Sequence, residues 1–269
     1  MCQEVQSKVQ GIPEEKVKHT MITQQWKIGL ASLLAAGALV AAPAKPCYVI
    51  DARGQKHEGI ALKVTSSSGD IELNVDGRAS LPFKAGAYKA AVIPKPDDMA
   101  ALEKALEEGR HADIAKVAGP LFEKYKFLGW GGSVAYLEGM SLLKQGKPQD
   151  ALRTFAKGKQ FEGEAGADLM RGVVTALLDL KDTAKAQPLL AAMVTSSRKA
   201  DAAFAFASRG RMLEDAGKNK EAVLEYLKVL LFFEDGTGVR EFREDAKARA
   251  IALLKKMNDG RWKQVEAIN

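Results

Sequence analysis

Histidine and cysteine are the side chains that most often bind metals or serve as bases and nucleophiles, and this sequence has few of them. The histidines are His19, His57 and His111, and the cysteines are Cys2 and Cys47. The cysteines are far apart, and the histidines fall in segments of different character. The spacing therefore predicts no zinc cage, no disulfide framework and no histidine-based catalytic triad, and we expect no metal or cofactor.

A glycine-rich run, GWGGS at 129–133, has some likeness to a phosphate-binding loop, but it lacks the lysine that such a loop requires. We predict instead a turn between helices, with Ser133 as the N-cap and Trp130 packed beneath it. The short GTG at 236–238 is predicted to be a loop. Paired acids such as Glu107 and Glu108 are expected at exposed helix ends, where we identify no cleft for acid-base hydrolysis.

The composition indicates a folded chain without a strong charge bias. It has 269 residues, 46% of them hydrophobic, which suffices for one large domain or two smaller ones with their own cores. The net charge is +6, but the 40 basic residues are interleaved with 34 acidic ones. Most of the charge is therefore expected on solvated helix faces, and nucleic acid is not the expected partner. Binding to DNA or an acidic polymer would weaken steeply with salt.

The segment 21–44 has the pattern of a secretory signal peptide. Lys27 precedes an uncharged apolar run at 28–42, and Ala42-Pro43-Ala44 has the small-x-small pattern of a cleavage site. We predict an exported, periplasmic or envelope-associated protein. The alternative is a retained anchor, which would bring the chain into contact with the membrane. Because polar residues precede a second methionine, Met21, residues 1–20 are predicted to be an extension upstream of the natural start.

The next segment, 45–96, alternates short apolar runs with turn residues, which predicts a small β domain. Asp76-Gly77 between two such runs is a strong hairpin signal, because this pair suits a type I′ turn. We predict an SH3-like barrel or meander. The predicted strands are 48–52, 59–65, 71–75, 78–83 and 88–93.

The remaining segment, 97–269, shows helical periodicity with short turns between helices, so the predicted fold class is α+β, mainly α. Pro94-Lys95-Pro96 ends the strands, and Asp97-Asp98 suits a helix N-terminus. The predicted helices are 98–108, 111–126, 133–145, 148–160, 167–180, 184–197, 200–216, 220–234 and 242–257. A last helix near Trp262 is expected to cap the stack.

Two stretches in this part carry the same pattern of small and aromatic residues. Gly139, Gly146, Ala151 and Phe155 in the first match Gly210, Gly217, Ala222 and Tyr226 in the second. The pattern resembles the tetratricopeptide repeat (TPR), a unit of about 34 residues made of two helices. We place a weaker third copy between them at Gly172, with Pro188 inside its second helix, and an earlier pair at 99–127. The resemblance implies a TPR-like solenoid of helix pairs.

The resemblance also implies a concave groove lined by the first helix of each repeat. It selects these partner-binding residues: Tyr136, Met140, Lys144, Val173, Ala207, Arg211 and Asp215. With Lys144 and Arg211 at its sides, the groove would suit an extended peptide of acidic character. The expected function is a non-catalytic scaffold or adaptor for a protein or peptide partner in the cell envelope. The alternative is an enzyme or accessory subunit acting on cell-wall polymers, with the β domain as its carrier module.

Overall fold

The computed structural model describes residues 46–161, 163–236 and 238–268. In this part the chain is α+β and mainly α: six short strands come first, and helices follow. The strands and helices belong to one compact unit. The predicted signal peptide, the predicted upstream extension, Cys2 and His19 lie outside the described residues.

The strands form two three-stranded antiparallel sheets, with strand orders β2-β1-β6 and β3-β4-β5. Their buried faces meet in a small core that contains Val49, Ile71 and Leu73. The strands are β1 Cys47–Asp51, β2 Lys56–Gly59, β3 Ala61–Val64, β4 Ile71–Asn74, β5 Ser80–Phe83 and β6 Tyr88–Val92.

The predicted strand 59–65 is wrong in one respect, because the chain changes sheet at Ile60 and the run is divided between β2 and β3. Gly59 lies against β4 at this point, where a Cβ atom would stand 2.3 Å from the carbonyl oxygen of Asn74. Only glycine allows so close an approach. The division gives six strands where five were predicted.

The helical prediction is confirmed for all nine predicted helices, whose bounds agree with the structure to within three residues. A short tenth helix follows near Trp262. The helices are α1 Asp97–Glu107, α2 His111–Tyr125, α3 Gly131–Lys144, α4 Pro148–Lys159, α5 Gly166–Asp179, α6 Thr183–Val194, α7 Lys199–Asp215, α8 Asn219–Phe232, α9 Arg240–Lys256 and α10 Trp262–Glu266.

Successive helices pack in pairs, and each odd-numbered helix from α1 to α9 is followed by one residue with positive φ. A helix commonly ends on such a residue, because it lets backbone N–H groups bond to the last free carbonyls. Glycine takes this conformation without steric cost, but Lys181 and Asn258 adopt it here too. The five residues are Gly109, Gly146, Lys181, Gly217 and Asn258.

The small residues of the repeat pattern lie where helices come closest. A Cβ atom on Gly139 would stand 2.2 Å from the ring of Phe155, and a Cβ on Gly210 would stand 2.4 Å from the ring of Tyr226. Both rings are fully buried, as are Ala151 and Ala222 at the start of the same second helices. The ring of Phe155 also contacts Gly172 of α5, so it fills the space between one helix pair and the next.

The glycine-rich run at 129–133 joins the strands to the helices. The indole Nε1 of Trp130 donates a hydrogen bond to the carbonyl oxygen of Ile93 (3.0 Å), and Gly129 lies against Val92. The prediction that Ser133 caps the helix is wrong, because α3 begins two residues earlier and Trp130 is the residue that precedes it. Residues 129–130 therefore fix the β sheets against the helical part.

Candidate partner-binding groove

A cavity of about 370 Å³ opens between the first helices of successive pairs. Side chains of α3, α5, α7 and α9 line it, so four helices contribute to one surface. The lining residues are Tyr136, Met140, Leu143, Lys144, Arg171, Gly172, Thr175, Asp179, Phe204, Ala207, Ser208, Arg211, Glu241, Phe242 and Asp245. We call this surface the concave groove.

The structure brings together five of the seven residues that the TPR resemblance selects: Tyr136, Met140, Lys144, Ala207 and Arg211. Val173 is not among the lining residues, because its half-buried side chain packs against the hydrophobic clusters between helix pairs. Asp215 lies in a neighbouring recess, where it forms an ion pair with Lys181 (2.5 Å). Val173 and Asp215 therefore lie outside the lining of the concave groove.

Val173 was selected because the middle repeat was aligned on Gly172. Gly139 and Gly210 each stand seven residues before the positive-φ residue of their turn, and Val174 stands seven residues before Lys181. Val174, and not Gly172, thus occupies the equivalent place in α5. The larger side chain fits because Leu190 replaces the aromatic residue of the other pairs, and both are fully buried.

When the middle repeat is aligned on Val174, the groove-facing residues of α5 are Arg171, Thr175 and Asp179. Sequence reasoning missed all three. The signal that could have found them is the length of the turn at 180–182, which matches the glycine-containing turns at 145–147 and 216–218 although it has no glycine.

Arg171 is held in place by two carboxylates. One of its guanidinium nitrogens pairs with Asp168 one helical turn earlier, and the other with Asp201 of α7 (2.5 Å). Asp201 is only 3% exposed and also accepts hydrogen bonds from Arg198 (2.8 Å) and Ser196 (3.1 Å). A buried carboxylate needs such partners, so this network fixes α5 against α7 beneath the groove.

Arg211 belongs to a second chain of charges on the wall formed by α7 and α9. It lies 3.6 Å from Asp245, whose carboxylate also accepts a hydrogen bond from Arg249 (3.1 Å). Arg249 in turn donates to Glu214, which accepts the hydroxyl proton of Tyr226 (2.7 Å). Burial, together with the bond to Glu214, raises the pKa of Tyr226. Arg211 is therefore partly neutralised by its neighbours.

Three charged residues of the concave groove form no ion pair with a described residue: Lys144, Asp179 and Glu241. Burial raises the pKa of Asp179, whereas the nearby cation of Arg211 partly opposes that rise. In all, three cations and three carboxylates line the groove. A bound segment would meet an unpaired cation on α3 and unpaired carboxylates on α5 and α9, so an overall acidic peptide is not required.

Apolar side chains form part of the groove lining, which we call its floor, and the phenol of Tyr136 lies beside them. Phe204 and Phe242 contact each other edge to face, with ring centroids 5.6 Å apart. Tyr136 is half-buried, and its hydroxyl forms no hydrogen bond with a described residue. Burial is the main cause that raises the pKa of this phenol, and the carboxylate of Asp168 adds to it. The floor thus offers contact to apolar side chains and a neutral hydroxyl to a backbone group.

The structure also forms a serine-histidine contact that sequence reasoning did not find. The imidazole Nδ1 of His111 lies 3.0 Å from Oγ of Ser141, and Gln145 donates to the same oxygen (3.3 Å). A nucleophilic serine must be open to its substrate and needs donors that stabilise an oxyanion, yet Ser141 is only 2% exposed. This contact ties the start of α2 to α3.

Among the described residues, no cluster of three or more His, Cys, Asp or Glu side chains is arranged to hold a metal ion.

Within the described ranges, no helix combines the length and apolar character needed to cross a membrane. Comparison with known proteins identifies no family: no family model matches the chain, and no curated protein or solved structure matches it.

Proposed function

We propose that this chain is an exported, non-catalytic TPR-like scaffold that binds an extended segment of a protein partner in the cell envelope. The proposal includes an N-terminal SH3-like β module and a TPR-like solenoid of helix pairs. The repeated contacts of Gly139 with Phe155 and of Gly210 with Tyr226 support the TPR-like packing. The signal-like pattern at 21–44 supports export.

The single observation that carries the binding role is the concave groove itself. Four helices contribute to it, part of its lining is apolar, and Lys144 stands on its side without an ion pair to any described residue. An exposed cation beside apolar side chains can fix the register of a peptide, while the apolar side chains offer it hydrophobic contact. Lys144 would then pair with a carboxylate of the partner.

Site-specific crosslinking in the native host tests this function. A photoreactive phenylalanine analogue replaces Met140 in the groove, or Val117 in a control variant, because Val117 is exposed on α2 outside the groove. We expect Met140 variants to crosslink to a defined protein, Val117 variants not to do so, and the added substitution Lys144→Glu to remove the crosslink. Equal crosslinking at both positions would contradict a groove-bound partner, and release of soluble fragments from peptidoglycan by the purified chain would contradict a non-catalytic role.

A further inference from the structure

The outer face of α8 carries a ridge of exposed apolar side chains. Leu224 is 60% exposed, Leu231 66% and Phe232 67%. Leu224, Leu227 and Leu231 are spaced three and four residues apart, which puts them on one apolar stripe of the helix that would normally face a core. Leu227 is half-buried, but the other two leucines face solvent. Large apolar side chains that cluster on a surface in this way mark a contact with another molecule.

An apolar groove runs beside this ridge. It has a volume of about 580 Å³ and lies between α8, the end of α9 and α10. Val223, Leu227, Leu254, Met257, Val265 and Ile268 contribute most of its apolar surface. The helix α10 has only five residues, whereas α8 has 14, so α10 covers only part of α8 and leaves the ridge bare. The same face of the molecule thus carries an apolar ridge that projects into solvent and an apolar groove that could receive such a ridge.

Charged residues of opposite sign flank the two ends of this ridge. Leu224 and Leu231 lie on either side of a centre between Leu227 and Lys228, and Lys220 and Glu234 lie at about twice that distance. Both charged residues are exposed, and neither forms an ion pair with a described residue. The first end of the ridge is therefore basic, and the other end is acidic because Glu234 follows two residues after the last residue of α8.

We propose that a second copy of this chain covers the ridge, with the two α8 helices antiparallel about a twofold axis. In a twofold interface the same patch faces itself, so a patch must be complementary to its own rotated copy. Here Leu224 would contact Leu231 of the partner subunit, and Lys220 would approach Glu234 of the partner subunit. Phe232 would then reach the groove beside Val223 of the partner subunit, because these two residues are also symmetric about the point between Leu227 and Lys228.

The same charges argue against the other occupants of such a ridge. An anionic membrane surface would favour basic residues at both ends of the ridge, but one end carries Glu234, which pairs with no described residue, and Asp235, which pairs with Arg240 (3.1 Å). An unrelated helix would have no reason to match a ridge whose two ends carry opposite charges on either side of the point between Leu227 and Lys228. The self-association surface lies outside the concave groove, so this inference does not depend on the proposed function.

Sedimentation velocity of the full chain over a range of concentrations tests the dimer. We expect a dimer for the wild type and a monomer for the double variant Leu224→Glu/Leu231→Glu. The control Ile60→Glu changes a residue of the β sheets that is exposed to the same degree, 65%, and it should remain dimeric. Circular dichroism of all three establishes that the fold is kept.

Charge reversal adds a test that a merely misfolded variant cannot pass. Lys220→Glu alone, or Glu234→Lys alone, places like charges opposite each other twice in the dimer and should weaken association about tenfold or more. An equimolar mixture of the two single variants restores both attractive pairs and should recover the dimer. A monomeric wild type, a dimer that persists in Leu224→Glu/Leu231→Glu, or a mixture no tighter than its components would each overturn the proposal.

Discussion

Gly139 leaves no room for a single methyl group, and this gives a sharp test of how the helix pairs pack. A Cβ atom at this position would lie 2.2 Å from Cε1 of Phe155, whereas carbon atoms in contact stand about 3.5–4.0 Å apart. The ring cannot retreat, because Gly172 meets it from the α5 side just as closely. Gly139→Ala should therefore force α3 and α4 apart.

The magnitude follows from two opposing effects. Alanine in a helix interior is favoured over glycine by about 1 kcal/mol, which would stabilise the variant if there were space. Overpacking a fully buried site costs about 1–3 kcal/mol, and the short distance places Gly139→Ala near the upper value. We expect a net loss of about 2 kcal/mol in the free energy of unfolding. In a chain of this size that corresponds to a fall of about 4–8 °C in Tm.

Thermal and denaturant unfolding of Gly139→Ala, Phe155→Leu and the double variant measure this effect. Leucine lacks the ring edge that the new methyl group would strike, so the double variant should be more stable than the sum of the single losses by about 1 kcal/mol or more. A higher Tm for Gly139→Ala than for the wild type would refute the close contact. Additive losses would show that the two positions do not meet.

Two further predictions concern a buried charge and the junction between strands and helices. Glu138 is half-buried and forms no ion pair with a described residue, and burial raises the pKa of its carboxyl group. Its charged form therefore opposes folding at neutral pH, and the stability of the fold rises as the pH falls through that pKa. Glu138→Gln should therefore raise the Tm at pH 7, and the gain should shrink near pH 4; a gain independent of pH would contradict this. Trp130→Phe removes the hydrogen bond to Ile93 and should cost about 1 kcal/mol. Hydrogen exchange should then speed up at the amide of Ile93, which bonds to Leu128, while unchanged exchange would mean that the junction does not depend on Trp130.

The helices could be predicted from the sequence because local signals fix them. The apolar period gives each helix its buried face, and residues such as Gly146 and Gly217 end the helices with a conformation that glycine adopts at no cost. The division of the strand run at Ile60 could not be predicted in the same way. It depends on the close approach of Gly59 to Asn74, a contact between residues that are distant in the sequence.

The groove residues could be predicted only where the repeat kept its small residues. On α3 and α7 the glycines fixed the phase, and five selected residues do line the concave groove. On α5 the turn residue is Lys181 and not glycine, so the repeat was aligned on Gly172 inside the helix, two residues before the equivalent position, Val174. Two residues correspond to about 200° around a helix, which turns the selected residues from the groove to the core.

The apolar stripe of α8 shows what periodicity leaves undetermined. Leu224 and Leu227 fit the same stripe, but only tertiary packing decides which of them is covered, and the short α10 covers Leu227 better. The opposite face of α8 carries Tyr226, whose hydroxyl bonds to Glu214 and so supports the charge chain beside Arg211. One helix therefore contributes to both proposed surfaces through different faces. A twofold dimer through α8 would hold two concave grooves in one assembly, which favours a partner that presents its binding segment in more than one copy.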